Sequence, residues 1–221
     1  MQTQPFGYFA GGLAPWPTYV STIDRIDYSN DTATATPKGN LAAARYGTAA
    51  VGARENALQN SPTPAIAAPV QPPFPYPQQL AAPGPAYGYW GGGKLYTNND
   101  EDVSTIDRID FSNDTATAVV KGPLTAVRYI RGATGNKEYG YFGTGGPGTL
   151  SNVDRVDYSN DTATASARGP LSSSKSGTAS TGSTSYGYFA PGGPGNGKSL
   201  IQRLDYSNDT ATASLKASGP P

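Results

Sequence analysis

The sequence predicts an all-β protein built from four stacked repeats, and three observations lead to this fold class. The chain of 221 residues contains 28 glycines and 20 prolines, which break helices and favour turns. One segment rich in Ile, Asp, Thr and Ala occurs four times. No window is apolar over the roughly 18 residues that a transmembrane helix needs, so such a helix is not expected.

The repeated segment sets the period of the chain. It runs from Ile23 to Ala35 in its first copy. The other copies occupy Ile106 to Ala118, Val153 to Ala165 and Ile201 to Ala213. The second aspartates of the copies stand at intervals of 83, 47 and 48 residues, at Asp27, Asp110, Asp157 and Asp205. The period is therefore about 47 residues, and the first interval holds an insert of about 35 residues.

Each repeat divides into four short segments, which predicts four strands. An aromatic glycine box precedes the repeated segment, at Gly7 to Gly12, Gly88 to Gly93, Gly140 to Gly143 and Gly187 to Ala190. A stretch that begins with Gly follows the first three copies, at Gly39 to Tyr46, Gly122 to Tyr129 and Gly169 to Ser176. Turn signals of Gly, Pro, Asn and Asp separate these segments. We expect the strand order Arg-bearing stretch, aromatic box, Ile-Asp segment and Thr-Ala segment, with the first unit one strand short.

The Ile-Asp segment is expected to be covered on both faces. In a strand, Ile23 points to one face and Ile26 to the other, so both faces need a covering layer, as when small sheets stack. Half-buried charges need partners, so the Asp and Arg residues of the segment are predicted to pair with one another. The residues given this structural role are Asp24, Arg25, Asp27, Asp107, Arg108, Asp110, Asp154, Arg155, Asp157, Arg203 and Asp205.

The predicted units span residues 1–38, 39–121, 122–168 and 169–221 of a single repeat domain. Residues 53–86 form a proline-rich insert in the second unit, for which two interpretations stay open. The insert is a surface loop, or it is an extended polyproline II arm that lays Phe74 and Tyr76 on a neighbouring subunit.

The composition excludes several kinds of chemistry. The chain has no Cys and no His, which excludes disulfides, thiolate nucleophiles, imidazole bases and Cys/His zinc sites. Sixteen basic and sixteen acidic residues cancel, and no basic cluster is present, so a nucleic-acid partner is not expected. Because Asp recurs at every period, we assign it a structural role and predict no catalytic, cofactor-binding or metal-binding residue, no cofactor and no enzymatic activity.

Each copy of the repeat contains an Asn-Asp-Thr sequon, at Asn30, Asn113, Asn160 and Asn208. Asn and Asp side chains that bond their own backbone in a turn explain this tripeptide. Glycosylation of these asparagines is the alternative, as is Ca²⁺ coordination by the oxygens of Asp27, Asn30 and Asp31. The stretch from Gly192 to Ser199 has the spacing of a phosphate-binding loop, but a strand and not a helix is expected after it, which favours a plain connecting loop.

The repeat resembles the kelch repeat, the four-stranded blade of a β-propeller. Gly11-Gly12 and Gly91-Gly92 stand where that family has its double glycine, and Asp27-Tyr28 lies near its Tyr-Asp turn. Arg45 and Arg128 match the arginine of its first strand. The resemblance implies blade-like units in a propeller-type fold. An open β-repeat assembly completed by neighbouring subunits is the alternative, because the first unit is one strand short.

The sequence of the repeated segment also resembles tandem repeats of structural and tail-fibre proteins of cyanobacterial and marine bacteriophages. The residues that carry this resemblance are Asp-Arg-Ile-Asp-Tyr-Ser-Asn-Asp-Thr-Ala-Thr-Ala. This resemblance implies a virion component that associates with itself and with other virion proteins, in a tail fibre or another host-facing appendage. The first residues contain no signal peptide, so synthesis in the host cytoplasm is expected. Neither membrane insertion nor nucleic-acid binding is expected.

Two alternatives stay open for the function. One is an extracellular filament subunit. The other is a carbohydrate-binding module in which exposed aromatic side chains stack on host glycans. The aromatic residues proposed for such contacts are Tyr8, Tyr89, Trp90, Tyr141 and Tyr188.

Overall fold

The computed structural model describes residues 6–15, 18–52, 87–95, 101–146, 151–172, 178–191 and 200–218. Within these ranges the chain forms β-strands, short 3₁₀ turns and loops, without an α-helix. The predicted all-β class is therefore confirmed.

The strands form four antiparallel sheets that follow one another along the chain, named here sheets A to D. Sheet A consists of β1 (Phe6–Leu13), β2 (Tyr19–Asp27) and β3 (Thr36–Asn40). The next strands are β4 (Arg45–Tyr46), β5 (Ala49–Gly52), β6 (Tyr87–Gly91), β7 (Lys94–Leu95), β8 (Ile106–Asp110) and β9 (Val119–Val120). Of these, β5, β6, β8 and β9 form sheet B, while β4 and β7 pair in a separate two-stranded ladder.

Sheets C and D repeat the order of sheet B. Sheet C consists of β10 (Tyr129–Gly135), β11 (Tyr139–Gly146), β12 (Val153–Asp157) and β13 (Ser166–Arg168). Sheet D consists of β14 (Thr178–Gly182), β15 (Tyr186–Pro191), β16 (Leu200–Asp205) and β17 (Ser214–Ser218). Within the described ranges, sheet A has three strands where each of the others has four.

The turn after the Ile-Asp strand of each sheet is stabilised by its own aspartate. Asp110 at the end of β8 accepts hydrogen bonds from the Ser112 amide at 2.8 Å and the Ser112 hydroxyl at 2.6 Å. Asp27 accepts the same two bonds from Ser29. These bonds hold the pKa of both carboxyls below the usual value. The equivalent aspartates of sheets C and D, Asp157 and Asp205, act in the same way.

Two strand predictions are wrong. The Thr-Ala-Thr-Ala segments form turns and extended loops, and the last strand of each sheet begins after its segment, at Thr36, Val119, Ser166 and Ser214. The reason is that their backbone amides bond elsewhere: Ala33 donates to the Asn30 carbonyl of its own turn, and Ala118 to the carbonyl of Asn40 in sheet A.

The Arg-bearing stretches are not the first strands of sheets B to D either. Those strands are β5, β10 and β14, which follow the stretches. The connections between sheets at residues 41–48 and 121–128 are crossing loops, and Arg45–Tyr46 of the first pairs with β7. A leucine of each of the three stretches enters the core. These leucines, Leu41, Leu124 and Leu171, are each 2% exposed.

The hydrophobic core is divided among the spaces between neighbouring sheets. Ile23 of sheet A packs with Trp90 and Ile109 of sheet B. Further clusters centred on Phe142 and on Phe189 lie between sheets B and C and between sheets C and D. Because each sheet has apolar residues on two faces, the expectation that both faces are covered is confirmed for sheets B and C.

Close backbone approach between sheets requires glycine at one repeated position. A Cβ on Gly122 would overlap the carbonyl oxygen of Ala163 in the next sheet, and Gly39 and Gly169 have equivalent neighbours. Gly122 itself donates a 2.8 Å hydrogen bond to the carbonyl of Asp161. Any side chain at Gly122 would therefore push sheets B and C apart.

We expect Gly122→Ala to lower the free energy of unfolding by about 1–3 kcal/mol, because the methyl group overpacks the contact between sheets. Gly52→Ala is the matched control, since its Cβ would have only the Tyr87 carbonyl oxygen nearby, at 3.9 Å. The control is expected to be neutral or to stabilise by up to about 1 kcal/mol. Urea titrations followed by circular dichroism measure both, and equal effects would contradict this assignment.

Candidate functional site

The most organised polar group of the structure lies at the contact between sheets A and B. The Asp114 carboxylate, in the turn after β8, accepts a 3.0 Å hydrogen bond from the Tyr8 hydroxyl and a 2.8 Å bond from Arg25 Nη1. Lys38 Nζ lies 3.5 Å from its other oxygen. Asp114 is 8% exposed. One buried carboxylate of sheet B therefore holds three donors from sheet A.

The same contact joins sheets B and C. Asp161 accepts a 2.9 Å bond from the Tyr89 hydroxyl and a 2.7 Å bond from Arg108 Nη1. Lys121 Nζ lies 3.2 Å from the second carboxylate oxygen.

A third copy joins sheets C and D. Asp209 accepts bonds of 2.9 Å from Tyr141 and 2.8 Å from Arg155. Arg168 takes the place of the lysine, with its Nε 3.3 Å from Asp209. We name this arrangement, a Tyr, an Arg and a Lys or Arg of one sheet around one Asp of the next, the inter-sheet cluster.

Aromatic stacking accompanies every inter-sheet cluster. The ring of Tyr89 stacks on Tyr158 of the next sheet with centroids 4.9 Å apart. The stacks Tyr8 on Phe111 and Tyr141 on Tyr206 have centroid distances of 4.6 and 4.8 Å. Such pairs contribute about 0.5–1.5 kcal/mol beyond the area that they bury.

The arginine of each cluster is held in position by a ring of its own sheet. The guanidinium carbon of Arg108 lies 4.1 Å from the centroid of Tyr87. Arg25 lies over Phe6 at 4.1 Å and Arg155 over Tyr139 at 4.2 Å. This cation–π contact orients the guanidinium toward the carboxylate of the next sheet.

The tyrosines of the clusters are neutral hydrogen-bond donors near neutral pH, because their pKa values are raised. Burial, followed by the hydrogen bond to Asp114, raises the pKa of Tyr8 to about 12. The same causes raise the pKa of Tyr89 and Tyr141 further. Burial also raises the pKa of Tyr206 to about 12. The clusters therefore contain no phenolate near neutral pH.

A second repeated polar contact is a fully buried ion pair. Arg45 of the crossing loop lies 2.9 Å from Asp107 in β8, and their side chains are 1% and 0% exposed. The Ala42 amide donates to the same carboxylate at 3.1 Å. Arg128 and Asp154 form the corresponding pair in sheet C. These pairs attach the crossing loops to the sheets that follow them.

Sheet D replaces this ion pair by neutral groups. Gln202 stands at the position of Asp107 and Asp154 and is 1% exposed. Its amide oxygen accepts a 2.8 Å hydrogen bond from the Ser172 hydroxyl. A buried carboxylate without an arginine would be costly, and the sequence has Lys175, which lies outside the described residues, where the other units have Arg45 and Arg128.

The structure corrects the predicted pairing of charges within the Ile-Asp segment. Neighbouring Asp and Arg residues of one strand point to opposite faces and do not pair. Arg25, Arg108 and Arg155 bind the next sheet, whereas Asp107 and Asp154 bind a crossing loop. The cluster aspartates Asp114, Asp161 and Asp209 were missed as partners, although an Asp follows Ser-Asn in every copy and a Tyr and an Arg stand at fixed places in the unit before it.

The aromatic residues proposed for glycan contacts are mostly inside the protein. Tyr89, Trp90 and Tyr141 are 0%, 3% and 0% exposed, so the expectation that they are exposed is wrong. Tyr8 and Tyr188 are half-buried. Phe74 and Tyr76 lie outside the described residues, as do Gly192 to Ser199 with their phosphate-loop spacing and the whole insert 53–86.

The sequon asparagines lie on exposed turns. Asn30 and Asn113 accept hydrogen bonds from Thr32 and Thr115 at 3.3 and 3.4 Å. Asn160 and Asn208 end the 3₁₀ turns of sheets C and D. Across the described ranges, no three His, Cys, Asp or Glu side chains come together in a group that could hold a metal ion.

Comparison with known proteins adds no relationship: neither protein-family models nor curated proteins match the chain. In the part of the chain that the structure describes, no helix is long and apolar enough to cross a membrane.

We expect Asp161→Ala to lower the free energy of unfolding by about 2–4 kcal/mol, because Tyr89 and Arg108 would lose their shared acceptor in a largely buried place. Asp31→Ala is the matched control: Asp31 holds the same position in the turn of sheet A, where it is exposed. A change within about 0.5 kcal/mol is expected for it. Chemical denaturation of dilute protein compares the two, and equal losses would show that the aspartate serves its own turn and not the contact between sheets.

We expect Arg45→Met to lower the free energy of unfolding by about 3–5 kcal/mol near pH 7, since Asp107 would stay buried without its counter-ion. Burial raises the pKa of Asp107, and Arg45 opposes that rise. A carboxyl whose pKa is raised in the folded state binds more protons in the folded protein than in the unfolded chain. The stability that the variant loses relative to the wild-type chain should therefore grow as the pH rises from about 4 to 7.

The double variant Arg45→Met with Asp107→Gln reproduces the neutral arrangement around Gln202. It should recover most of the lost stability and remove the added pH dependence. Unfolding curves at both pH values provide the measurement. A loss of stability in Arg45→Met that becomes smaller as the pH rises would contradict the assigned role of Arg45.

Proposed function

We infer that the protein is a structural, non-enzymatic component of a bacteriophage particle, in a tail fibre or another host-facing appendage. The observation that carries the structural, non-enzymatic role is that the repeated polar residues bind neighbouring sheets to one another. The Tyr, Arg and Asp of each inter-sheet cluster serve to bind one sheet to the next, and they do so three times with nearly identical distances.

A structural role explains why these residues recur. A catalytic group needs a single environment that differs from all others in the chain. Here the tyrosines whose pKa is raised, Tyr8, Tyr89 and Tyr141, occupy three copies of one environment, and each donates a hydrogen bond to a carboxylate. Repetition of a contact builds length and rigidity, which are the properties that a fibre or appendage needs.

The finer fold that we propose is a series of propeller-type blades, or an open stack of such sheets completed by neighbouring subunits. Sheets of four antiparallel strands in sequence order, with cores between them, support blades. The double glycine of the kelch resemblance also supports this fold. Gly11 and Gly12 have φ values of 70° and 141°, and Gly92 and Gly93 have 64° and 118°. The pair in sheet B is thus one residue later than Gly91-Gly92.

The phage assignment rests on the resemblance of the repeat and is tested directly by location. Antibodies raised against the purified protein are expected to label appendages of phage particles purified from the culture that carries the gene, as seen by immunogold electron microscopy. Serum absorbed with the purified protein is the control. Label confined to host cells, with bare particles, would overturn the assignment.

A further inference from the structure

The outer faces of sheets A and D expose residues whose counterparts are buried in every contact between sheets. Phe9 of sheet A is 62% exposed. The side chains at its position in the other sheets, Trp90, Phe142 and Phe189, are 3%, 0% and 0% exposed. Tyr28 is also 62% exposed, whereas its counterparts take part in the stacks described above. We name the face with Phe9, Tyr28 and Asp31 the leading face.

Each buried counterpart of Phe9 is received by a small residue of the preceding sheet. A Cβ on Gly91 would lie 2.9 Å from the ring of Phe142, and one on Gly143 would lie 3.0 Å from the ring of Phe189. Ala10 packs against the cluster that contains Trp90. The residue at this position in sheet D is Ala190, which is half-buried. Ala190 is thus the small residue at the receiving position of sheet D, and Phe9 is the ring that stays exposed at the inserting position.

Sheet D also carries the donors of an inter-sheet cluster, for which the described residues supply no acceptor. The guanidinium of Arg203 lies 4.2 Å from the Tyr186 centroid, the same cation–π position that Arg155 has over Tyr139. Within the described residues, the Nε of Arg203 is buried without a hydrogen-bond partner. Tyr188 and Lys216 stand at the cluster positions of Tyr141 and Arg168, and Lys216 is exposed. We name the face with Tyr188, Ala190, Arg203 and Lys216 the trailing face.

The acceptor that this cluster lacks stands on the leading face. Asp31 is exposed, while its counterparts Asp114, Asp161 and Asp209 are 8%, 7% and 8% exposed. The ring of Tyr28 lies against Gly7 as Tyr158 lies against Gly140 and Tyr206 against Gly187. Its free side thus has the orientation that the stacked counterparts have. The leading face holds the carboxylate and ring, and the trailing face holds the donors.

We propose that the leading face of one copy of this chain docks on the trailing face of a second copy, forming a fourth inter-sheet contact between molecules. In it, Asp31 accepts from the partner subunit's Tyr188 and the partner subunit's Arg203, and Phe9 packs on the partner subunit's Ala190. Sheet D has Ala217 after Lys216 where Gly169 follows Arg168, so this contact is made by side chains without the close backbone approach that the glycines allow in the other three. The inference rests on the proposed structural role and gives it a residue-level assembly contact.

A second copy is the occupant because the two faces are complementary and belong to the same chain. Two leading faces would bring Asp31 against Asp31, and two trailing faces would bring Arg203 against Arg203, so a twofold contact is disfavoured. Head-to-tail contacts of this kind extend into rings or open filaments, depending on the rotation between copies.

Sedimentation velocity of the full chain tests the proposal, from about 1 to about 200 μM, a range that detects micromolar affinities. The wild-type chain is expected to associate as its concentration rises. Asp31→Arg and Arg203→Asp are each expected to weaken association about 100-fold, because each removes one ion pair and places like charges in contact. Phe9→Ser probes the apolar half and should weaken association at least about 10-fold.

Mixing the two charge variants provides the decisive readout. An Asp31→Arg molecule keeps an intact trailing face, and an Arg203→Asp molecule keeps an intact leading face, so an equimolar mixture should regain association that neither variant shows alone. This recovery also shows that both variants are folded. Glu138→Arg is the control, since it makes the same charge change at an exposed turn of sheet C, and it should associate like the wild-type chain.

A wild-type chain that stays monomeric over this range would overturn the proposal, as would variants that associate unchanged or a mixture that shows no recovery. The outcome is separate from that of the immunogold experiment. Labelled particles together with monomeric protein would retain the phage assignment and reject the docking contact. Unlabelled particles together with association that the variants weaken would reject the phage assignment and retain the docking contact.

Discussion

The structure depends on one carboxylate in each contact, the aspartate that follows Ser-Asn in the turn of the later sheet. It gathers a phenol, a guanidinium and an ammonium or second guanidinium from the sheet before it, and it is more than nine-tenths buried. A charge in such a place is tolerated only when paired and fully hydrogen-bonded. The aspartate therefore fixes both the distance and the lateral position of two sheets that otherwise meet through small apolar clusters.

This constraint explains how a chain poor in aliphatic residues forms a core. No sheet has enough apolar area to form a core alone, and each of the three apolar clusters draws on two neighbouring sheets. Stability in such a series is a sum over neighbouring pairs. Sheet D shows that single positions can change when their partners change with them, because Gln202 and Ser172 replace a buried ion pair by a neutral hydrogen bond.

The sequence predicted the all-β class and the burial of both sheet faces, because period and alternation are local signals that survive in the folded chain. The aspartate turns at Asp27 and Asp110 follow from residue chemistry in the same way. Partners that lie one unit apart could not be read from local patterns. Arg25 was therefore matched with its sequence neighbours and not with Asp114, and Tyr89 was expected at the surface although its hydroxyl reaches Asp161. The viral role and self-association remain predictions.

The ladder between β5 and β6 has a consequence for the long insert of the second unit. Gly52 on one side of residues 53–86 pairs directly with Gly88 on the other, just as Gly135 pairs with Gly140 across a short turn in sheet C. The chain thus leaves and re-enters the sheet at adjacent points. Sequence between these points can be lengthened, shortened or exchanged without altering the register of any strand, so the hairpin is a natural graft position on an otherwise constrained scaffold.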